Sequence, residues 1–386
     1  MKTFKVAIIT MILLITGGIF AAVFYFFYAD RGEGVKVFLH FPEAVFVEKG
    51  GFFAEGGFVD AGHDAFAGDG YIEEEPEDVP CLYTTTIVLS AAGDTTLGGD
   101  RRRGGYHAFM REVRYNGFGH FFANVADIFY ESDIAVVNLE GALTDVRYPY
   151  EDKEFVFRGP TEFAQILVYG NVNVVSLANN HTMDFFRQGY NDTRDALTSA
   201  GVAYFGNEFN TVMEINGITV GFFGHRIWGD HRYNRAAITR SIEYLRERGA
   251  QLIIAYYHWG VENDNFPANY QRTIGRFTIQ EGAHLVLGAH PHVLQGIEQY
   301  EGRYIVHSLA NFSFGGNGNP HDMDSFIFQQ NFTFYRGELV DTGSNIIPIR
   351  VSSVRYRNNF QPTPAMGEDE ERILARLETY SKGLLQ

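Results

Sequence analysis

From residue 84 onward the chain alternates short apolar runs with longer mixed stretches. The runs are dense in Val, Ile and Leu and read as buried strands. The stretches between them place apolar residues three and four apart and read as helices. On this basis strands are expected at 84–90, 134–138, 172–177, 218–223, 252–257 and 285–287. Helices are expected at 107–129, 162–169, 192–200, 240–248 and 270–280. Such alternation predicts an α/β fold. Beyond residue 300 the pattern changes. Residues 304–308, 324–335 and 346–355 read as antiparallel strands, and 368–385 as an amphipathic closing helix. No internal repeat is visible.

Two segments precede this pattern. Residues 6–28 are 23 uncharged positions, long enough to span a bilayer core of about 30 Å. Bulky Phe24, Tyr25, Phe26, Phe27 and Tyr28 stand where signal cleavage needs small residues. An uncleaved transmembrane helix over 1–28 is therefore expected. Lys2 and Lys5 would keep its start cytoplasmic, placing a single-pass protein in the cell membrane with its C-terminal domain extracellular. Residues 29–83 hold 13 Asp/Glu and three Lys/Arg, so −10 of the formal charge of −16 lies there. That stretch reads as an acidic flexible linker. The body is then 84–360, closed by a helical segment at 361–386. The negative balance argues against nonspecific nucleic-acid binding. Cys81 is the single cysteine, so no internal disulfide is available.

Polar residues collect where the apolar runs end, which is where open α/β sheets bind ligands. Asp94 follows the first run, Glu140 the second, and Asn180 and His181 the third. His258 follows 252–257, and His290 and His292 follow 285–287. Each alone reads as a turn, a cap or a core histidine. Together they read as a metal site, and mixed carboxylate and imidazole donors suit Mn, Zn or Fe better than Ca. Arg101, Arg102 and Arg103 are candidates to hold an anionic substrate, or else a solvated loop. His225, just past 218–223, is a candidate substrate contact.

The blocks Gly93-Asp94-Thr95-Thr96-Leu97-Gly98, Asn138-Leu139-Glu140, Asn179-Asn180-His181-Thr182-Met183-Asp184, His258-Trp259-Gly260, Gly288-Ala289-His290-Pro291-His292 and His307-Ser308-Leu309-Ala310-Asn311-Phe312 resemble, in order, those of the CapA/PgsA proteins. These are capsule and poly-γ-glutamate synthesis proteins on a calcineurin-like metallophosphoesterase fold. The resemblance spans roughly residues 84–350. It implies a four-layer α/β/β/α sandwich with one or two divalent metal ions. Asp94 and His292 would bind the first ion, Glu140 would bridge, and Asn180, His258 and His290 would bind the second. His181 would act as acid or transition-state stabiliser, oriented by Asp184. Three positions depart from the pattern. Thr96 stands where the superfamily's D-x-H has its His, Glu140 replaces a shorter Asp, and Ala310 replaces a Gly. The resemblance implies a metal-dependent, phosphoesterase-type hydrolase acting on an anionic polymer or its phosphorylated precursor. The other reading is a non-catalytic metal-binding subunit that assembles with membrane synthase or export partners.

Overall fold

The computed structural model describes residues 9–16, 19–28, 36–40 and 84–384. The chain divides into two units, Met1–Glu74 and Glu75–Gln386. In the first, β1 (Ile9–Thr16), β2 (Ile19–Tyr28) and β3 (Lys36–His40) form an antiparallel sheet in that order. The helix expected over 1–28 is not seen over these strands, and residues 1–8 and 17–18 lie outside the described residues. Among the described residues no helix is long and apolar enough to cross a membrane. The linker expected over 29–83 lies outside the described residues apart from β3.

The second unit is a mixed α/β domain with several sheets. Its elements are β4 (Thr84–Thr96), α1 (Gly104–Asn116), α2 (Ala126–Tyr130), β5 (Ile134–Leu139), β6 (Ala142–Leu143), β7 (Arg158–Gly159), α3 (Ala164–Tyr169), β8 (Val174–Ser176), α4 (Phe186–Ala200), β9 (Ala203–Phe205), β10 (Thr211–Ile215), β11 (Ile218–Ile227), α5 (Arg232–Glu247), β12 (Leu252–Trp259), α6 (Asn269–Glu281), β13 (Leu285–Ala289), β14 (Ile297–Tyr300), β15 (Arg303–Val306), β16 (Asn311–Phe314), β17 (Asp324–Tyr335), β18 (Glu338–Arg350), β19 (Thr363–Pro364) and α7 (Glu368–Ser381). One sheet runs β19-β18-β17-β4-β5-β8-β9, with β16 pairing β4. Another runs β10-β11-β12-β13-β15-β14.

Side-chain alternation sorts the strands' two faces. On β12, Leu252, Ile254 and Tyr256 join a core that also holds Ile87, Leu89 and Phe328 of the other sheet. Ile253, Tyr257 and Trp259 turn the other way, toward Ile242 of α5 and Ile274 of α6. A third core gathers Val137 of β5 with Phe109, Leu167 and Leu197 from α1, α3 and α4.

Several boundaries differ from the pattern-based expectation. The helix expected over 107–129 breaks at Gly117, whose φ of 75° closes α1. The strand expected at 84–90 continues to Thr96, past an irregularity between Ala92 and Asp94, so Asp94 lies within β4. The strand expected at 304–308 pairs parallel to β13 and antiparallel only to β14.

Candidate metal centre

The carboxyl ends of five strands deliver the expected residues to one place. Asp94 lies near the end of β4, Glu140 one residue past β5, and Asn180 and His181 in the turn after β8. His258 is the penultimate residue of β12, and His290 and His292 follow β13. Ligand atoms of Glu140, His290 and His292 lie within 4.8 Å of one another. His258 Nε2 is 2.6 Å from Asn180 Oδ1 and 3.6 Å from Glu140 Oε1. Asp94 Oδ2 is 3.1 Å from His292 Nδ1 and accepts the His290 backbone N–H at 3.1 Å.

The local backbone is bent to make this possible. His290 and His292 have φ of 100° and 60°, left-handed values that L-residues adopt at a cost. Gly93 lets the 309–311 turn press onto β4, because a Cβ there would overlap the Ala310 carbonyl oxygen. Asp94 N–H donates to that same oxygen at 2.9 Å. Ala310 itself has φ of 59°, which explains why a Gly suits that position.

Donor chemistry fits a cation. Both Glu140 oxygens and His290 Nδ1 are buried without a hydrogen-bond partner. Buried acceptors of this kind are costly unless something absent from the protein satisfies them. Burial and the Asp94 carboxylate hold the Glu140 carboxyl well above its usual range. Burial opposes charge on His292, but the Glu140 and Asp94 carboxylates override it and raise the imidazole to about 10. In both cases a proton is retained within the Asp94–Glu140–His292 group. Burial, reinforced by the charge of His292, lowers His290 to about 4. Burial and the neighbouring imidazoles push His258 well down. His290 and His258 are thus neutral, as imidazole ligands must be, and an ion would displace the proton retained by the Glu140–His292 pair.

Beside this group, His181 Nδ1 is 2.6 Å from Asp184 Oδ2 and its Nε2 is 3.9 Å from Glu140. Asp184 is fully buried. It also accepts from Lys153 Nζ at 2.5 Å and from the Phe157 N–H at 2.6 Å. The Phe157 ring stacks on His181 at 4.0 Å. Burial lowers the His181 pKa, while Asp184 opposes that shift. A cleft of about 680 Å³ opens onto His181, His292, Asn311 and Glu262 and runs past Phe157 to Arg103.

The expected anion-binding arginines separate. Arg103 lines the cleft and lies 4.7 Å over the Phe155 ring. Arg102 is held by Asp100 at 2.7 Å and by the Glu154 carbonyl. Arg101 is exposed, 5.7 Å over Tyr106. His225 is placed away from the centre. Strand alternation turns it to the face that packs on α5, where Nε2 is 3.1 Å from Ser241 Oγ. Burial there lowers it to about 4.

Other contributors were given no role from the sequence. Asn138 donates to Asp94 Oδ1 at 2.8 Å. Asn311 Oδ1 is 2.9 Å from His292 Nδ1. The half-exposed Trp228 sets its ring 4.7 Å from His290. Lys153 had a signal: after residue 83 the chain has only two lysines, so one in the middle of the domain stands out. Asn311 lay inside a recognised block without a recognised task.

Residues 88–316 match the family described as bacterial capsule synthesis protein PGA_cap. The chain is 30% identical over 262 residues to the PGA biosynthesis protein CapA of Bacillus subtilis (strain 168), covering 63% of this chain and 67% of that protein. It is 28% identical over 327 residues to the capsule biosynthesis protein CapA of Bacillus anthracis, covering 78% and 75%. A crystal structure of a hypothetical protein from Thermus thermophilus is similar at a TM-score of 0.40 and 14% identity, over 68% of this chain and 99% of that one. The match over most of the domain, on the same strand ends that gather the imidazoles and carboxylates, places this chain in the PGA_cap capsule synthesis family.

Proposed function

We propose that this protein is a metal-dependent, phosphoesterase-type hydrolase of capsule or poly-γ-glutamate biosynthesis, tethered at the outer face of the cell membrane. The observation that carries the reading is the Glu140, His290 and His292 cluster with both Glu140 oxygens unpartnered. Asp94, Glu140 and His292 would hold one divalent ion (Mn, Zn or Fe), and Glu140, Asn180, His258 and His290 a second. Such ions supply Lewis acidity and offset charge on an anionic substrate. The chain's own residues do the rest. His181 takes or gives a proton at Nε2, its ring fixed by Asp184 and by the Phe157 face. Lys153 and the Phe157 N–H keep Asp184 aimed at Nδ1. Arg103 meets an anionic group of the polymer or its phosphorylated precursor in the cleft.

The three cores support a four-layer α/β/β/α arrangement, because each sheet has one face in the shared core and one against helices. The apolar stretch 6–28 supports the anchor. An open three-stranded sheet leaves edge N–H and C=O groups that a bilayer cannot satisfy, so in a membrane this stretch would span as a helix.

The experiment uses the full-length protein in detergent, loaded with Mn²⁺ and assayed on a generic phosphodiester and on poly-γ-glutamate. Turnover that vanishes in His181→Ala, with metal retained, is the expected result. The reading fails if the wild type turns over neither probe and His181→Ala still supports capsule export in cells. That outcome would favour the second reading, an assembly subunit partnered with membrane synthase proteins. Thr96, standing where an imidazole ligand is otherwise used, is the observation on its side.

A further inference from the structure

We propose that Asn311 is a metal ligand, completing the half of the centre that Thr96 leaves short. This rests on the metal-centre reading above and adds a residue to it. Three observations carry the assignment.

The first is register. The superfamily's D-x-H places Asp and His two apart on one strand, and here those positions are Asp94 and Thr96. The Thr96 hydroxyl is buried without a partner, so it is not held in any other hydrogen bond. Two strands flank this end of β4: β5 sets Asn138 opposite Asp94, and on the other side β16 sets Asn311 opposite it. The substitution of chemistry is therefore across the sheet, from the next strand, and not along β4.

The second is orientation. Asn311 Nδ2 donates to the His292 carbonyl at 3.1 Å. A carbonyl can only accept, so that contact fixes which end of the amide is nitrogen. The oxygen is thereby directed at His292 Nδ1, 2.9 Å away.

The third is convergence. Asp94 Oδ2 approaches the same His292 nitrogen, at 3.1 Å. Around an octahedral ion with bonds of about 2.1 Å, adjacent donors stand about 3.0 Å apart. Each oxygen therefore already stands from this nitrogen as neighbouring ligands do. Without an ion, a proton on His292 Nδ1 sits between the two oxygens. Asn311 is buried, yet with His292 it lines the cleft, so an ion held there would face the substrate cavity. An amide oxygen is ordinary ligand chemistry beside imidazole and carboxylate for Mn, Zn or Fe.

The competing role is that Asn311 merely orients the His292 ring, and the variants separate the two. A ligand role predicts that Asn311→Ala weakens one Mn²⁺ site by about tenfold or more, the other site being unchanged. Asn311→Asp offers a charged oxygen in the same place and binds at least as tightly as wild type. A purely orienting role also survives in Asn311→Asp, whose carboxylate still accepts from His292 Nδ1, so Co²⁺ absorption decides: exchanging an amide for a carboxylate ligand changes the spectrum, and an orienting contact leaves it as in wild type.

The test is Mn²⁺ titration of the full-length protein by calorimetry, with Co²⁺ visible absorption as a second readout of coordination. Unfolding in EDTA provides the check that each variant is folded. Equal affinity in wild type and Asn311→Ala, or a Co²⁺ spectrum in Asn311→Asp identical to that of wild type, overturns the assignment while leaving the centre intact. A wild type that binds no divalent ion removes the centre itself, and the assignment with it.

Discussion

Two buried clusters in this domain each set a glutamate among histidines, and they are built to opposite ends. Glu298 is fully buried and receives His307 Nε2 at 3.0 Å, the Arg276 guanidinium, and Arg272 at 3.7 Å. Burial pushes its carboxyl upward, but the His307 and Arg276 hydrogen bonds win and hold it below its usual range. Glu140 is also buried, accepts no hydrogen bond and is pushed up. Neither carboxylate is exposed, but Glu298 lies nearer the surface beside part-exposed arginines, so both depth and donors separate the two. Glu298 is satisfied by cations of the protein itself and ties α6 to β14 and to the residue after β15. Glu140 has no such donor, and a cation from outside would fill that place. An unpartnered carboxylate, more than a buried one, is what separates a candidate site from a structural network.

The largest expected effects test that contrast directly. Glu140→Gln should weaken Mn²⁺ binding by more than about 100-fold and leave unfolding in EDTA unchanged or slightly improved. Glu298→Ala should do the reverse. It strands Arg276 and His307 and costs about 3 kcal/mol, read by urea unfolding, with metal content unaltered. If both variants lose stability equally, the two clusters are the same kind of structure and the contrast collapses.

Next is pH. In EDTA, the contribution of His292 is complete below the ordinary imidazole value and fades as pH climbs to about 10. The raised Glu140 carboxyl fades in the same direction. His290 works oppositely: its contribution is complete above the ordinary imidazole value and fades as pH falls to about 4. Glu298 is held below its usual range, so its contribution is lost only in acid. The metal-free midpoint should therefore decline on the alkaline side, and saturating Mn²⁺ should flatten that decline by replacing the retained proton. Thermal unfolding from pH 5 to 10, with and without metal, reads both slopes.

A smaller effect is expected at Lys153. Lys153→Ala should lower turnover of a phosphodiester by about tenfold, because it releases both Asp184 and the Asn180 carbonyl, and Mn²⁺ affinity measured beside it separates the two contributions. Smallest is Ala310→Gly, which relieves a left-handed alanine but loosens the unfolded chain. A net gain of about 0.5 kcal/mol is the expectation from chemical unfolding.

The fold class was readable because the buried strands are continuous apolar runs and the helices keep their spacing. The ligands were readable because sheet architecture sends chemistry to strand ends. His225 shows the limit. It also lies near a strand end, but its position in the alternation decides which face it serves, and a one-residue difference reverses the answer. Arg101, Arg102 and Arg103 show another: adjacent cations in sequence found three different partners. Asn311 could not be assigned because its meaning depends on which strand lies beside β4. That is long-range pairing and leaves no local trace.

The press of Gly93 against Ala310 has a consequence for how the molecule comes into being. β4 is the first strand of the domain, yet it pairs with β16 and β17, which are made more than 200 residues later. Contacts this distant in sequence close slowly and late. A chain emerging from its ribosome, or threading through a membrane, carries Asp94 early but has no complete centre until residue 311 has arrived. Loading with an ion would then report a finished chain. A truncated or stalled one could hold only fragments of the site, and would be left without the stabilisation that an ion confers.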